Sequence, residues 1–275
     1  MKRLRWIVRL TVLAAVVWSV GFEPGWLQQR ELTLTAPGWR GPPLTLAVAA
    51  DLHTGAPHAG LPMLRQVVDR LNASHADLIL LPGDFVIQGV LGGEPAALAD
   101  IASELARLKA PLGVFASLGN HDWWYDGEAV RQALQQAGIT VLENAAVPLP
   151  TAQTLWLAGI GDDMTDHAQP TQAFAQIPAA APLIVIMHDP ANATMLPARA
   201  LVAFAGHTHG GQVRLPLVGA LVVPGRSPRQ HAYGWIPGAP APTFVTAGVG
   251  TSMLPIRFNC PPEIVILRLY PEQQA

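Results

Sequence analysis

Leu201-Val202-Ala203-Phe204-Ala205-Gly206-His207-Thr208-His209-Gly210-Gly211-Gln212 sets an unbroken apolar run directly against two histidines flanked by glycines. The apolar run reads as a strand buried on both faces, as in a sheet covered on two sides. The histidines begin where that strand stops. The same grammar recurs outward along the chain. Leu44–Ala50 runs into Asp51-Leu52-His53, Leu78–Leu81 into Gly83-Asp84, Val114–Ser117 into Gly119-Asn120-His121-Asp122, and Leu183–Met187 into His188. Apolar runs at Leu155–Ile160, Phe244–Ala247 and Ile264–Leu269 extend the strand set, and Pro62–Leu71, Pro95–Leu108 and Glu128–Ala137 show helical spacing. Strands alternating with helices define an α/β domain, and alternation alone allows a single open sheet as readily as two.

In such a domain the carboxyl ends of the strands lie along one rim, so side chains placed just past them converge although the sequence scatters them. Any one Asp or His after a strand is more often a cap or a turn residue. Five strand ends bearing metal-type donors are a different matter. Carboxylate, imidazole and amide oxygen without thiolate suit Mn, Fe, Zn or Mg ions, and the donors are too many for one ion. Two divalent ions a few ångströms apart can share a carboxylate and clamp a phosphoryl group during hydrolysis.

In order, Asp51-x-His53, Gly83-Asp84, Gly119-Asn120-His121-Asp122, His188 and Gly206-His207-x-His209-Gly210-Gly211-Gln212 resemble the motif series of the calcineurin-like metallophosphoesterases, over roughly Leu44 to Tyr270. The tail Gly250-Thr251-Ser252-Met253-Leu254-Pro255-Ile256-Arg257-Phe258 and Pro261-Pro262-Glu263 resemble the bacterial membrane-associated branch, some of whose members are phosphodiesterases and some hydrolyse the pyrophosphate of UDP-2,3-diacylglucosamine in lipid A synthesis. The resemblance implies a two-sheet α/β sandwich flanked by helices. It implies that Asp51, His53, Asp84 and His209 hold one metal ion while Asp84, Asn120, His188 and His207 hold the other, with Asp84 bridging. His121 resembles the family's non-ligand histidine, which contacts the phosphate and stabilises charge or protonates the leaving oxygen. Asp122 either orients that imidazole or caps a helix or turn.

Half of the 275 residues are apolar, ample for a large core, and a net charge of −2 without internal basic runs leaves no electrostatic footprint for nucleic acid. The single cysteine, Cys260, says nothing of compartment. Lys2, Arg3, Arg5 and Arg9 precede an apolar stretch from Leu10 to Phe22 bracketed by Trp6 and Trp26, a membrane-targeting pattern. The expected organisation is a membrane anchor or signal over 1–26, a Pro/Gly-containing linker over 27–43 and a monomeric catalytic domain over 44–272. The charge bias predicts a bacterial inner-membrane anchor with the domain on the periplasmic side, whereas UDP-linked lipid intermediates are cytosolic; a cleaved signal or an interfacial helix are the alternatives.

An anchored, apolar chain points to an amphiphilic phosphoester, with a phosphomonoesterase acting on a soluble nucleotide or phosphoprotein as the second reading. A membrane-tethered, non-catalytic metal-binding protein is the third, and the histidine at 121 beside the expected ligands argues against it. His58, His75, His167 and His231 read as surface or loop histidines, with His58 near enough to the first motif to touch substrate; Asp162 and Asp163 face the same crevice or form a solvated turn, and Trp123 and Trp124 wall the pocket or an acyl-binding surface or serve as ordinary packing.

Overall fold

The computed structural model describes residues 1–272. The chain opens with helix α1 (Lys2–Gly21), none of whose residues is buried. With the single turn that follows it, this is the one described helix long and apolar enough to cross a membrane. Strand β1 (Gln28–Ala36) comes next, within the stretch expected as a linker. Its Gln-Gln-Arg-Glu-Leu-Thr-Leu-Thr-Ala alternation is that of an edge strand with one wet face, and its polar half hides it from a search for apolar runs. Trp39, also in the presumed linker, is only 1% exposed.

The first βαβ succession comprises β2 (Leu44–Val48), α2 (Leu61–Ala73), β3 (Leu78–Pro82), α3 (Leu98–Leu105), β4 (Val114–Ser117), α4 (Asn120–Gln136) and β5 (Thr140–Val141). The second half adds β6 (Ala145–Leu149), β7 (Leu155–Ile160), α5 (Pro170–Phe174), β8 (Leu183–Met187), β9 (Ala200–Ala205), the short hairpin β10 (Arg214–Leu215) and β11 (Gly219–Ala220), then β12 (Gly234–Trp235), β13 (Thr243–Val245) and β14 (Glu263–Pro271). Two six-stranded sheets result, ordered β1-β14-β2-β3-β4-β5 and β12-β13-β9-β8-β7-β6.

The sheets pack face to face, and the period-two alternation of each strand explains why. Leu46 and Val48 of β2 and Leu78 and Leu80 of β3 point between the sheets, where they meet Leu155, Leu157, Ile184, Ile186, Val202 and Phe204. Their alternate neighbours Ala47, Ile79 and Leu81 face the other way, into a layer with Val67, Val68 and Leu71 of α2, Ile101 and Leu105 of α3, and Val130 and Leu134 of α4. Central strands sandwiched on both sides must be apolar throughout, which is why they stood out in the sequence.

Helix α4 differs from expectation at its start. It begins at Asn120 instead of Glu128, with a break at Asp126, where the backbone is extended. Its first turn carries donor side chains in place of an apolar stripe, so helical periodicity cannot reveal it.

Candidate metal centre

Residues just past β2, β3, β4, β8 and β9 meet at one rim of the sandwich. Ligand atoms of Asp51, His53, Asp84 and His209 all lie within 4.8 Å of one another, and all four residues are buried. Asp84 Oδ2 lies 3.3 Å from His53 Nε2 and 3.2 Å from His188 Nε2. A second group gathers on the far side of Asp84: His188 Nε2 is 3.2 Å from Asn120 Oδ1, and His207 Nδ1 is 2.8 Å from that oxygen and 3.2 Å from His188 Nε2. The structure thus brings Asp51, His53, Asp84, Asn120, His188, His207 and His209 into one buried cluster.

The donor chemistry fits cations. His188 Nδ1 faces the Pro82 carbonyl at 2.9 Å and His209 Nδ1 faces the Gly250 carbonyl at 3.3 Å, so each ring, when neutral, points its Nε2 lone pair inward. Those lone pairs confront other acceptors: His209 Nε2 sits 3.1 Å from His53 Nε2, and His188 Nε2 faces the oxygens of Asp84 and Asn120. Asp51 Oδ2, His53 Nδ1 and His207 Nε2 are buried without a hydrogen-bond partner. Converging acceptors that share no proton need positive charge between them. The same demand shows in the titration of His188. Burial lowers that imidazole, but Asp84 and Asp51 outweigh burial and hold it well above its ordinary range. Burial, the His53 ring and the Arg257 guanidinium together hold His209 well below its ordinary range, leaving it neutral and able to donate its lone pair.

The backbone is bent hard to deliver these side chains. Asp51, His53, Asp84, His207 and His209 all have positive φ, a conformation that non-glycine residues rarely adopt and that costs on the order of 1 kcal/mol or more each. Gly119 is required because a Cβ there would collide with the Asp84 carboxylate, and Gly83 because its φ is +78° and a Cβ would come within 2.7 Å of His188 Nδ1.

Asp122 does not orient the His121 ring. Its carboxylate lies fully buried and accepts the backbone N–H groups of Asp84 and Phe85 at 2.8 Å, Gly119 at 3.0 Å and Val86 at 3.3 Å, tying the β3 loop to the first turn of α4. Burial and the nearby Asp84 push its carboxyl up to about 7, against the pull of the Gly119 and Phe85 N–H donors. The His121 imidazole lies at the edge of the cluster, 7% exposed, its ring 4.6 Å from that of His53 and 5.1 Å from that of Trp124. Burial lowers it to about 4 against the attraction of Asp84, so it is neutral at pH 7.

Of the other sequence candidates, His58 hydrogen-bonds the Val20 carbonyl at the end of α1, and His167 stacks on Trp123 at 3.7 Å. Half-exposed Trp124 is the aromatic that borders the site. Asp162 is fully buried, and its Oδ2 accepts from the backbone and hydroxyl of Thr165. Three residues escaped the sequence reading. Asp189, buried beside His188, places Oδ2 3.8 Å from His207 Nε2; a lone Asp before Pro190 reads as a cap, which it also is. Arg257, fully buried, donates to the carbonyls of Cys260, Ala247 and Gly250 and so fixes the acceptor of His209.

Glu143 is the third. It accepts from the Leu118 N–H at 2.7 Å, and burial, aided by Asp122 and Asp162, pushes it up to about 8. Between its unfolded value and about 8 the folded chain holds a proton that the unfolded chain has lost, so stability falls as pH rises through that window, at up to ~1.4 kcal/mol per pH unit. Glu143→Gln is expected to remove its share of that fall, leaving the share of Asp122 below about pH 7, so that urea midpoints recorded from pH 5 to 8 flatten relative to the parent, most between pH 7 and 8. An unchanged slope would assign the pH dependence elsewhere.

A family model described as calcineurin-like phosphoesterase matches residues 44–211. The chain belongs to this family of metallophosphoesterases, hydrolases acting on phosphate esters. It is 32% identical to phosphodiesterase YaeI of Escherichia coli over 93% of this chain and 95% of that one. An uncharacterized metallophosphoesterase, YkuE of Bacillus subtilis, is 29% identical over 75% of this chain and 72% of its own. The UDP-2,3-diacylglucosamine pyrophosphatase LpxG of Chlamydia muridarum is 25% identical over 95% of this chain and 96% of its own.

Proposed function

We propose that the chain is a dinuclear-metal phosphodiesterase or pyrophosphatase, anchored by α1 and acting on an amphiphilic phosphoester at a membrane surface. The position of Asp84 Oδ2, within 3.3 Å of donor nitrogens from both groups, carries this reading, because one atom serves both halves of the cluster. Asp51, His53, Asp84 and His209 would hold one ion and Asp84, Asn120, His188 and His207 the other. Two ions held there would supply positive charge to the phosphoryl oxygens and would acidify a bound water. The protein's own contribution is placement. Asp122 clamps the loop that presents Asp84, the Pro82 carbonyl at the end of β3 sets the His188 ring, the Asn120 amide oxygen sets the His207 ring, and His121 offers a neutral imidazole N–H to the phosphate at the mouth.

The phosphodiesterase relative supports diester cleavage, and the UDP-2,3-diacylglucosamine pyrophosphatase relative supports a lipid-linked pyrophosphate as one substrate to test. The basic residues at the far end of α1 favour an orientation with the domain outside the cytoplasm, in the inner membrane of a bacterium. The test is hydrolysis by metal-loaded full-length protein of bis(p-nitrophenyl) phosphate against the monoester, followed by a lipid panel that includes UDP-2,3-diacylglucosamine. Protein loaded with Mn²⁺, Fe, Zn²⁺ and Mg²⁺ in turn and inert on every phosphoester would overturn the reading.

His121→Asn is expected to keep metal content while lowering kcat about 10²-fold, the range for loss of one positioned hydrogen-bond donor to developing charge. Metal analysis beside steady-state kinetics checks this; loss of metal with loss of rate would make His121 structural.

A further inference from the structure

We propose that the β10–β11 hairpin and the adjoining 252–256 turn form a second membrane-contacting element, which together with α1 seats the mouth of the metal-donor cluster against the bilayer; this rests on reading α1 as an anchor. The hairpin is two residues per strand, far too small to have a core of its own. A soluble hairpin tip is normally polar. Here the tip is Pro216-Leu217-Val218, with Leu217 fully exposed and Val218 60% exposed, and the chain leaving it carries Leu221 and the 73% exposed Val222. Met253 and Leu254 of the neighbouring turn are also exposed. A concentration of bare aliphatic side chains on consecutive loops marks a surface that is covered in use.

Position decides what covers it. The Arg214 N–H at the hairpin base donates to the Phe258 carbonyl at 2.9 Å, and the next residue back, Arg257, donates its backbone N–H to the Ser19 carbonyl in the last turn of α1 at 2.9 Å. The Cys260 N–H is held by Glu23 at 2.6 Å. The hairpin therefore stands beside the point where α1 leaves the domain. With no buried residue along its length and an apolar composition, α1 suits hydrocarbon, and a surface that it leaves at Phe22 and Trp26 adjoins the hairpin. Arg226, 73% exposed just beyond the hairpin and 3.5 Å from Asp163, suits the phosphate head groups of that surface.

The same loops rim the site. Val222, Pro224 and Met253 line a cleft of about 150 Å³ together with Thr208, His209 and Gln212, so the apolar edge and an expected metal ligand share one opening. A phosphoester whose tails stay in the lipid would present its head group to the cluster without leaving the bilayer.

The test uses full-length protein in vesicles of phosphatidylcholine and phosphatidylglycerol, with an environment-sensitive fluorophore on single cysteines introduced by Val218→Cys, Leu13→Cys or Lys109→Cys. Native Cys260 is buried and escapes labelling. Lys109 lies at the opposite rim, ahead of β4, and is exposed. Lipids brominated in their acyl chains are expected to quench the Val218 probe at least ~two-fold while leaving the Lys109 probe unaffected. Quenching at Val218 no greater than at Lys109 overturns the proposal. The Leu13 probe reads the anchor separately: if it is quenched while Val218 is not, the hairpin contact falls and the anchor stands, and if neither is quenched both fall. Quenching at Val218 alone removes the anchor, and with it the proposal that the two elements seat the mouth together.

Discussion

Asp84→Asn is expected to empty the centre and to lower phosphoester hydrolysis by ~10³-fold or more, about 4 kcal/mol of transition-state stabilisation. The substitution keeps the oxygen that accepts the His121 N–H at 2.9 Å, so the fold is retained. It replaces the Oδ2 that faces both His53 and His188 with an amide nitrogen, which offers protons where lone pairs are wanted. Elemental analysis of purified protein should show loss of at least one ion per chain, and the circular dichroism spectrum should match the parent. Full metal content with a rate within ten-fold of the parent would remove Asp84 from the bridging role and with it the two-ion reading. Loss of metal with an intact cellular phenotype would favour a non-catalytic protein instead.

Asp122→Ala is expected to act through stability. It strands the N–H groups of Asp84, Phe85 and Gly119, all buried around one carboxylate, and each unsatisfied buried donor costs roughly 1–3 kcal/mol. A loss of about 3 kcal/mol or more follows, read as a lowered urea midpoint, with metal affinity falling because the Asp84 loop is no longer clamped. Asp122→Asn keeps one oxygen and should lie between the two. If the alanine variant unfolds at the parental midpoint yet loses its rate, the carboxylate touches substrate and the assignment here is wrong.

The central strands and the donor set were legible because the same constraint produces both. A strand covered on two faces is an apolar run, and a site at its carboxyl end begins with the first polar residues after it. β4, β7 and β8 accordingly fall where the apolar runs predict. What escaped detection lacks that contrast. β1 is an edge strand with one solvated face, and its pairing with β14 depends on residues more than 230 positions away. The first turn of α4 is defined by a carboxylate that caps it, and no apolar stripe announces it. Whether Asp122 caps or orients turns on which way one side chain points, which sequence spacing does not encode. Arg257 organises carbonyls that come together only in the folded loop, and the bare apolar hairpin tip is recognisable only once Leu217 and Val222 are seen to be exposed.

The sheet order also dictates when the domain can be completed during synthesis. β14, the last nine-residue strand, lies between β1 and β2, pairing parallel with the former and antiparallel with the latter. Until those final residues emerge from the ribosome, β1 has no neighbour and the first sheet ends at β2. A premature stop ahead of Glu263 removes an interior strand rather than a ragged end, and leaves β1 with its hydrogen-bonding edge open to another unfinished copy.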